Sequence, residues 1–175
     1  MPDEPEVVLL SGEEVLIRPV VAADTDAMVA SFERLSLPSR RSRFFTGVQR
    51  LSQTHLAYLT QLDHHNHEAI AAATAATREG IGVARFVRSR ERPEHAEIAI
   101  AIAIADSWQG RGLGSALLRR LVQRAREEGI TRFTADVMAD NRAMLALIRK
   151  LGPTEVMHQD GPIVTVGVDL TPANG

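Results

Sequence analysis

Hydrophobic and polar positions change period several times along this chain, and each change marks an element. Val15-Leu16-Ile17-Arg18-Pro19 is a short apolar run stopped by proline, which predicts a first strand. Asp24 stands where it can cap a helix whose apolar positions Ala27, Met28, Val29, Ala30 and Phe32 run toward Leu35. Pro38 breaks that helix, and a basic loop over 39–43 leads into Phe44 and Phe45. Ser52 opens a second helical pattern through Leu56, Leu59 and Leu62, closing near Asp63. After the polar connection His64-His65-Asn66-His67, the period falls to that of strands. A small, apolar strand over 69–77 turns at Arg78-Glu79-Gly80, and a second over 81–88 turns at Glu91-Arg92-Pro93-Glu94. Residues 97–104 alternate strictly, with Ile98, Ile100, Ile102 and Ile104 on one face and Glu97, Ala99, Ala101 and Ala103 on the other. Two successive hairpins predict an antiparallel meander.

A helix follows over about 114–128, with Leu113, Leu117, Leu118, Leu121, Val122 and Ala125 as its apolar stripe and Gly129 as its C-terminal cap. Residues 132–137 read as a strand, 141–151 as a helix ended by Gly152-Pro153, and 155–159 with 163–169 as a final hairpin. The order is strand, two helices, three strands, helix, strand, helix, two strands. It predicts an α/β (α+β) fold with a mixed, mainly antiparallel central sheet of about seven strands and about four flanking helices. No repeat or linker divides residues 1–175, so one domain is expected, with residues 1–11 and 171–175 as flexible ends.

Composition narrows the chemistry. The chain of 175 residues is 45% hydrophobic and 24% charged, the balance of an ordinary globular protein. A formal net charge of −2 provides no global attraction to nucleic acid or to an anionic membrane. With no cysteine, disulfides, thiolate zinc sites and a covalent cysteine intermediate are excluded. The acidic, proline-rich start is unlike a signal peptide, and no apolar run approaches the roughly 20 residues of a membrane span. A cytoplasmic location is the resulting expectation.

The turn between the alternating strand and the long helix carries Gly110, Gly112 and Gly114. Glycines let a backbone approach a ligand without an intervening Cβ, and the free N–H groups of a helix start favour an anion. Arg111 adds positive charge at the rim. By themselves the glycines are equally compatible with a plain tight turn. A dinucleotide site is a third possibility, since Asp136 ends the next strand near the distance for a ribose hydroxyl. Against it, Ser115 stands where the third glycine of that fingerprint belongs.

The run Asp106-Ser107-Trp108-Gln109-Gly110-Arg111-Gly112-Leu113-Gly114-Ser115 resembles the acetyl-CoA motif of the GNAT family of N-acetyltransferases, satisfied at Gln109, Gly112 and Gly114. The element order is similar to that fold over nearly the whole chain. Asn141-Arg142-Ala143-Met144-Leu145, leading to Leu151-Gly152, resembles the family's next motif. The resemblance implies that backbone amides from Gln109 through Gly110, Arg111, Gly112, Leu113 and Gly114 to Ser115 hold the cofactor's pyrophosphate. It implies that the pantetheine arm pairs with the strand near Ile102, Ala103 and Ile104, where such strands splay at a bulge, and that Asn141 faces that arm. A bulge there would reset the alternation counted above. Phe32-Glu33-Arg34-Leu35-Ser36, Arg43-Phe44-Phe45 and Ala96-Glu97-Ile98-Ala99 further resemble the catalytic domain of bacterial Pat-type protein lysine acetyltransferases. Some of these carry a regulatory domain, for which these 175 residues leave no room.

An amine of lysine type has a pKa of about 10.4, so attack on a thioester calls for a base. Glu97 is the candidate, at the start of the strand that feeds the turn, where the resemblance also places a proposed base; burial would raise its pKa. A purely structural Glu97 would pair with Arg85 or His95. The family often has a tyrosine in the helix after Asn141 as proton donor; Ile148 stands there, and the only tyrosine is Tyr58. His64, His65 and His67 read as a solvated loop, with no metal expected. Arg34, Arg40, Arg41, Arg43 and Arg50 form a basic cluster that reads as a solvated rim. The expected activity is direct acetyl transfer from acetyl-CoA to a primary amine, with a protein lysine as first choice. A small amine such as a polyamine or antibiotic, or an acyl-CoA sensor without turnover, are the alternatives.

Overall fold

The computed structural model describes residues 5–26, 53–98, 103–104, 108 and 110–170. In chain order these form β1 (Glu6–Leu10), β2 (Glu13–Pro19), a short 3-10 turn (Ala22–Asp24), α1 (Gln53–Thr60), β3 (His67–Thr74), β4 (Gly80–Arg88) and β5 (His95–Glu97). There follow β6 (Ala103–Ile104), α2 (Leu113–Glu127), β7 (Arg132–Met138), α3 (Arg142–Arg149), β8 (Thr154–Asp160) and β9 (Ile163–Asp169). The strands make one mixed sheet in the order β1-β2-β3-β4-β5-β7-β9-β8, with β6 also on β4. Only β5 against β7 is parallel. This is the expected mixed, mainly antiparallel α/β architecture, with nine strands in place of about seven.

The two extra strands have separate causes. Residues 6–10, expected in a flexible end, form β1 and pair with β2 through a two-residue turn. That turn is Ser11-Gly12, with φ of 49° and 82°. Positive φ at both positions matches the right-handed twist of a hairpin, so Ser-Gly between two apolar runs was a readable signal. The expected single strand over 97–104 is instead β5 and β6, whose separation shapes the candidate site. Asp24 also takes part in the turn before it. It closes the 3-10 turn by accepting from Val21 N (2.8 Å) and holds Arg18 through two bonds of 2.9 and 2.6 Å. Helix begins directly after it at Thr25 and Asp26, and the remainder of the expected helix and the basic cluster at 34–50 lie outside the described residues.

α2 lays its stripe of Leu113, Leu117, Leu118, Leu121 and Ala125 into a core that also holds Ile70, Phe86, Phe133 and Ile148. The Phe86 and Phe133 rings meet at 5.9 Å across the sheet. Under the far end of α2, buried Glu68 accepts from Arg124 (3.1 Å) and contacts His64 Nδ1 (2.8 Å), while His65 Nδ1 contacts Glu128 (2.5 Å). No described helix is long and apolar enough to cross a membrane.

Asp63 ties the connection from α1 into β3. Its Oδ1 accepts the N–H groups of His65, Asn66 and His67 at 3.0, 2.8 and 3.0 Å. Desolvation opposes ionisation, but these bonds prevail and hold the pKa down to about 2. A depressed carboxyl stabilises the fold above its ordinary pKa and loses that effect as pH falls through the folded value. Asp63→Ala is expected to cost about 1 kcal/mol at pH 7, the scale of a lost cap. The gap from the wild type should close between about pH 4 and pH 2, measured by urea unfolding across that range.

Candidate active site

The glycine turn has the backbone that its composition demands. Gly110 and Gly112 have φ of 77° and 87°, and Gly112 is the N-cap of α2. No side chain caps this helix, and the first bond within it is Ala116 N to Gly112 O, 3.2 Å. The N–H groups of Leu113, Gly114 and Ser115 precede that bond and are therefore available to an anion. A Cβ on Gly110 would meet nothing within 4 Å, so the turn faces open space. Arg111 turns its guanidinium away to stack over Trp108 at 3.6 Å and to pair with Glu13 on β2 at 2.9 Å. It braces the turn against the first hairpin. Gln109 and Ile102, both expected at the cofactor, lie outside the described residues.

Just before the turn, the sheet opens. β5 runs beside β7 from His95 opposite Arg132 to Glu97 opposite Thr134, and Ile98 N donates to Thr134 O at 2.7 Å. Beyond that bond β7 pairs with β9, while β6 pairs with β4 through Ala103 and Ile104. Between the two β4 pairings, β4 steps four residues from Val87 to Val83 as the opposing chain advances six, from Glu97 to Ala103. The excess of two residues is the bulge expected near Ile104. One extra residue would have exchanged the faces of the strand; two leave the alternation in step. Among the described residues, β7 from Ala135 to Met138 has no neighbour on this edge.

Glu97 stands at the mouth of this opening. His67, Val87, Glu97 and Thr134 form one row across β3, β4, β5 and β7, and residues directly opposed share a face. Burial of the carboxyl group raises the Glu97 pKa, and the nearby Asp136 carboxylate raises it further, although the residue as a whole is exposed. Neither expected structural partner is present. Arg85 bonds Leu59 O (3.3 Å) and His67 Nε2 (3.1 Å), and His95 lies 3.9 Å from Glu94.

Asp136, raised along the sequence only as a ribose partner in the dinucleotide alternative, stands beside Glu97. It lies two residues beyond Thr134 on the same face and accepts from Thr165 Oγ1 at 2.5 Å. Strand parity alone could have found it, given the β5–β7 register. Asn141 caps α3, its Oδ1 accepting from Met144 N at 3.2 Å, which leaves its amide nitrogen to donate to a ligand. Ile148 is buried core, and Tyr58 stacks on His67 at 4.7 Å, on the Glu97 face and away from α3. The three loop histidines turn to three different partners: Glu68, Glu128 and Arg85.

Residues 14–154 match the family model for the acetyltransferase (GNAT) domain. The chain belongs to the GNAT acetyltransferase family. It is similar to acetyltransferase Pat of Mycolicibacterium smegmatis, 32% identical over 94% of this chain and 48% of that protein, so it spans about half the relative's length. An acetyltransferase of Pseudomonas aeruginosa is 32% identical over 85% of this chain and 84% of its own. The solved GNAT domain of Streptomyces lividans PAT superposes with a TM-score of 0.86 at 30% identity, covering 95% of this chain and 97% of that one. The GNAT assignment agrees with the resemblance read at 106–115 and 141–152, and the likeness to Pat-type enzymes with that read at 32–36, 43–45 and 96–99.

Proposed function

We propose that this chain transfers an acetyl group from acetyl-CoA to a primary amine, a protein lysine, with Glu97 as general base. The observation that carries this is Glu97 itself: a carboxylate with a raised pKa and no cationic partner among the described residues, at the opening that leads to the glycine turn. The amides of Leu113, Gly114 and Ser115, with the αL glycines before them, suit the pyrophosphate of acetyl-CoA. The free edge of β7 and the amide of Asn141 suit its pantetheine arm. Acetyl-CoA supplies the acetyl thioester. Glu97 takes the proton from the incoming amine, directly or through a water. No tyrosine is available at the position of Ile148, and a thiol pKa of about 8.5 lets the leaving group depart with its proton supplied by water. The Pat-type relatives favour a protein lysine over a small amine.

Acetyl-CoA consumption across peptides and small amines tests the proposal. Incorporation at a defined lysine is the expected result. Rapid turnover of small amines alone would replace the lysine by the small-amine alternative, and acetyl-CoA binding without any turnover would leave only a sensor.

Asp136 offers an independent check on the base. Asp136→Asn removes a negative neighbour of Glu97, so Glu97 ionises more readily and the acidic limb of kcat/KM moves to lower pH. Part of the elevation should remain, since burial is the larger cause and stays in place. An unmoved limb would mean that Glu97 is not the group titrating.

A further inference from the structure

The row that holds Glu97 is polar on one side and largely apolar on the other. Toward β7 lie Thr134 and, two residues on, Asp136. Toward β3 lie Val87, the direct partner of Glu97, and then His67, the direct partner of Val87. Neither Val87 nor His67 is fully buried, so both present part of their side chains at the surface.

Tyr58 of α1 stands at the far end of this apolar side. Its ring stacks on His67 at 4.7 Å, with the planes tilted by 41°. Phe86, Phe133 and Trp108 are buried, whereas Tyr58 is 52% exposed and can be reached by a ligand. The helix that carries it is nonetheless fixed. The next residue, Leu59, is buried, and its carbonyl accepts from Arg85 Nη1 at 3.3 Å. The same Nη1 donates to His67 Nε2 at 3.1 Å, which must be the acceptor because a guanidinium can only donate. A histidine that accepts at a ring nitrogen is the neutral imidazole, so His67 adds no positive charge of its own against an incoming ammonium.

Two strand spacings separate His67 from Glu97, about 10 Å. A nitrogen held at the Glu97 carboxyl is therefore several ångströms short of the rings, with Val87 as the floor between. A small amine cannot span that distance. An amine on a flexible stem of about four carbons can. Such a stem is apolar and its tip is charged, which matches a row of aromatic and aliphatic side chains leading to a carboxylate. The exposed face of Tyr58 also attracts the ammonium before it is deprotonated.

We propose that Tyr58 and His67 form the wall against which the acceptor's aliphatic stem lies, and that Tyr58 selects amines carried on a long, unbranched chain. This rests on Glu97 as the base, because Glu97 fixes where the nitrogen sits. The shared chemistry is that of a lysine side chain or a free linear diamine.

Two series of probes separate these sources. End-blocked Gly-Lys-Gly and its twins with ornithine, diaminobutyrate or diaminopropionate shorten the stem one methylene at a time. The pair 1,5-diaminopentane and 1,3-diaminopropane does so without a peptide. All are compared at equal concentrations of free amine. In one series the wild type should lose about twofold to fourfold in kcat/KM per methylene removed, mainly through KM. Tyr58→Ala should lower kcat/KM for the longest amine by about tenfold and leave the shortest unchanged, while Tyr58→Phe, which keeps the ring face, should behave as the wild type. The KM for acetyl-CoA should not change in either variant. Flat wild-type values in both series would overturn the wall, with no variant needed. So would a chain-length dependence that survives in folded Tyr58→Ala, or one that Tyr58→Phe removes as fully as Tyr58→Ala. Glu97→Gln should slow every length alike; if it does not, the base is wrong, and the chain-length dependence still decides on Tyr58. If no amine is turned over, the acetyl-transfer reading fails. Calorimetric Kd values for the same probes with wild type and Tyr58→Ala then decide on the wall, and undetectable binding of the longest amines overturns it.

Discussion

Glu97→Gln is expected to lower kcat/KM for the amine by about 10²–10⁴-fold, the usual contribution of a positioned base. That corresponds to roughly 3–5 kcal/mol of transition-state stabilisation. The acetyl-CoA Kd should not change, because the glycine turn and the N-terminus of α2 do not involve Glu97. The pH profile separates a base from a merely structural carboxylate. Burial and Asp136 raise the pKa of Glu97, so the wild-type acidic limb should lie above the ordinary carboxylate value of about 4.3. Activity should fall as pH drops through that limb, where Glu97 takes up a proton and can no longer accept one. In Glu97→Gln the limb disappears, leaving a residual rate that rises with the free fraction of the amine. A variant that keeps both its rate and its acidic limb would remove Glu97 from the mechanism.

Gly152→Ala is expected to destabilise the protein by about 3 kcal/mol, at the upper end of overpacking effects. For a chain of this length that is a fall of roughly 6–12 °C in Tm. A Cβ at this position would come 2.3 Å from the carbonyl oxygen of Asp169. That oxygen cannot move aside cheaply, because β9 is held between β7 and β8 and Asp169 N donates to Pro153 O at 3.0 Å. The effect should appear in thermal melts with secondary structure retained at low temperature. A shift of only a degree or two would show that the connection from α3 to β8 has room that the geometry denies.

These two residues also separate what could be read along the chain from what could not. Gly152 was legible as a helix stop before Pro153, and α3 ends shortly before it, at Arg149 with Lys150 as its C-cap. That its Cβ position is filled by a carbonyl 17 residues later was not legible, because it depends on how β8 and β9 pack against each other. Glu97 was legible as a candidate base, but its neighbour Asp136 entered the linear reading only through the dinucleotide alternative. The missing information was the parallel register that sets Glu97 opposite Thr134. Arg85 was weighed only as an ion-pair partner for Glu97, and its bonds to Leu59 O and His67 Nε2 depend on how distant segments pack.

Sequence by itself determined the local features: the stripe of α2, the hairpins of the meander, the Asn141 cap and the glycines of the turn. Each is set by residues a few positions apart, through side-chain period or through a backbone angle that only glycine adopts easily. Tertiary structure alone decided the opening beyond β5, between β6 and β7, the two-residue slip that separates β6 from β5, and the face shared by Glu97, Asp136 and Arg85. Those depend on cross-strand register between segments tens of residues apart. Register is fixed by how the whole sheet buries its apolar face, and no local pattern carries it.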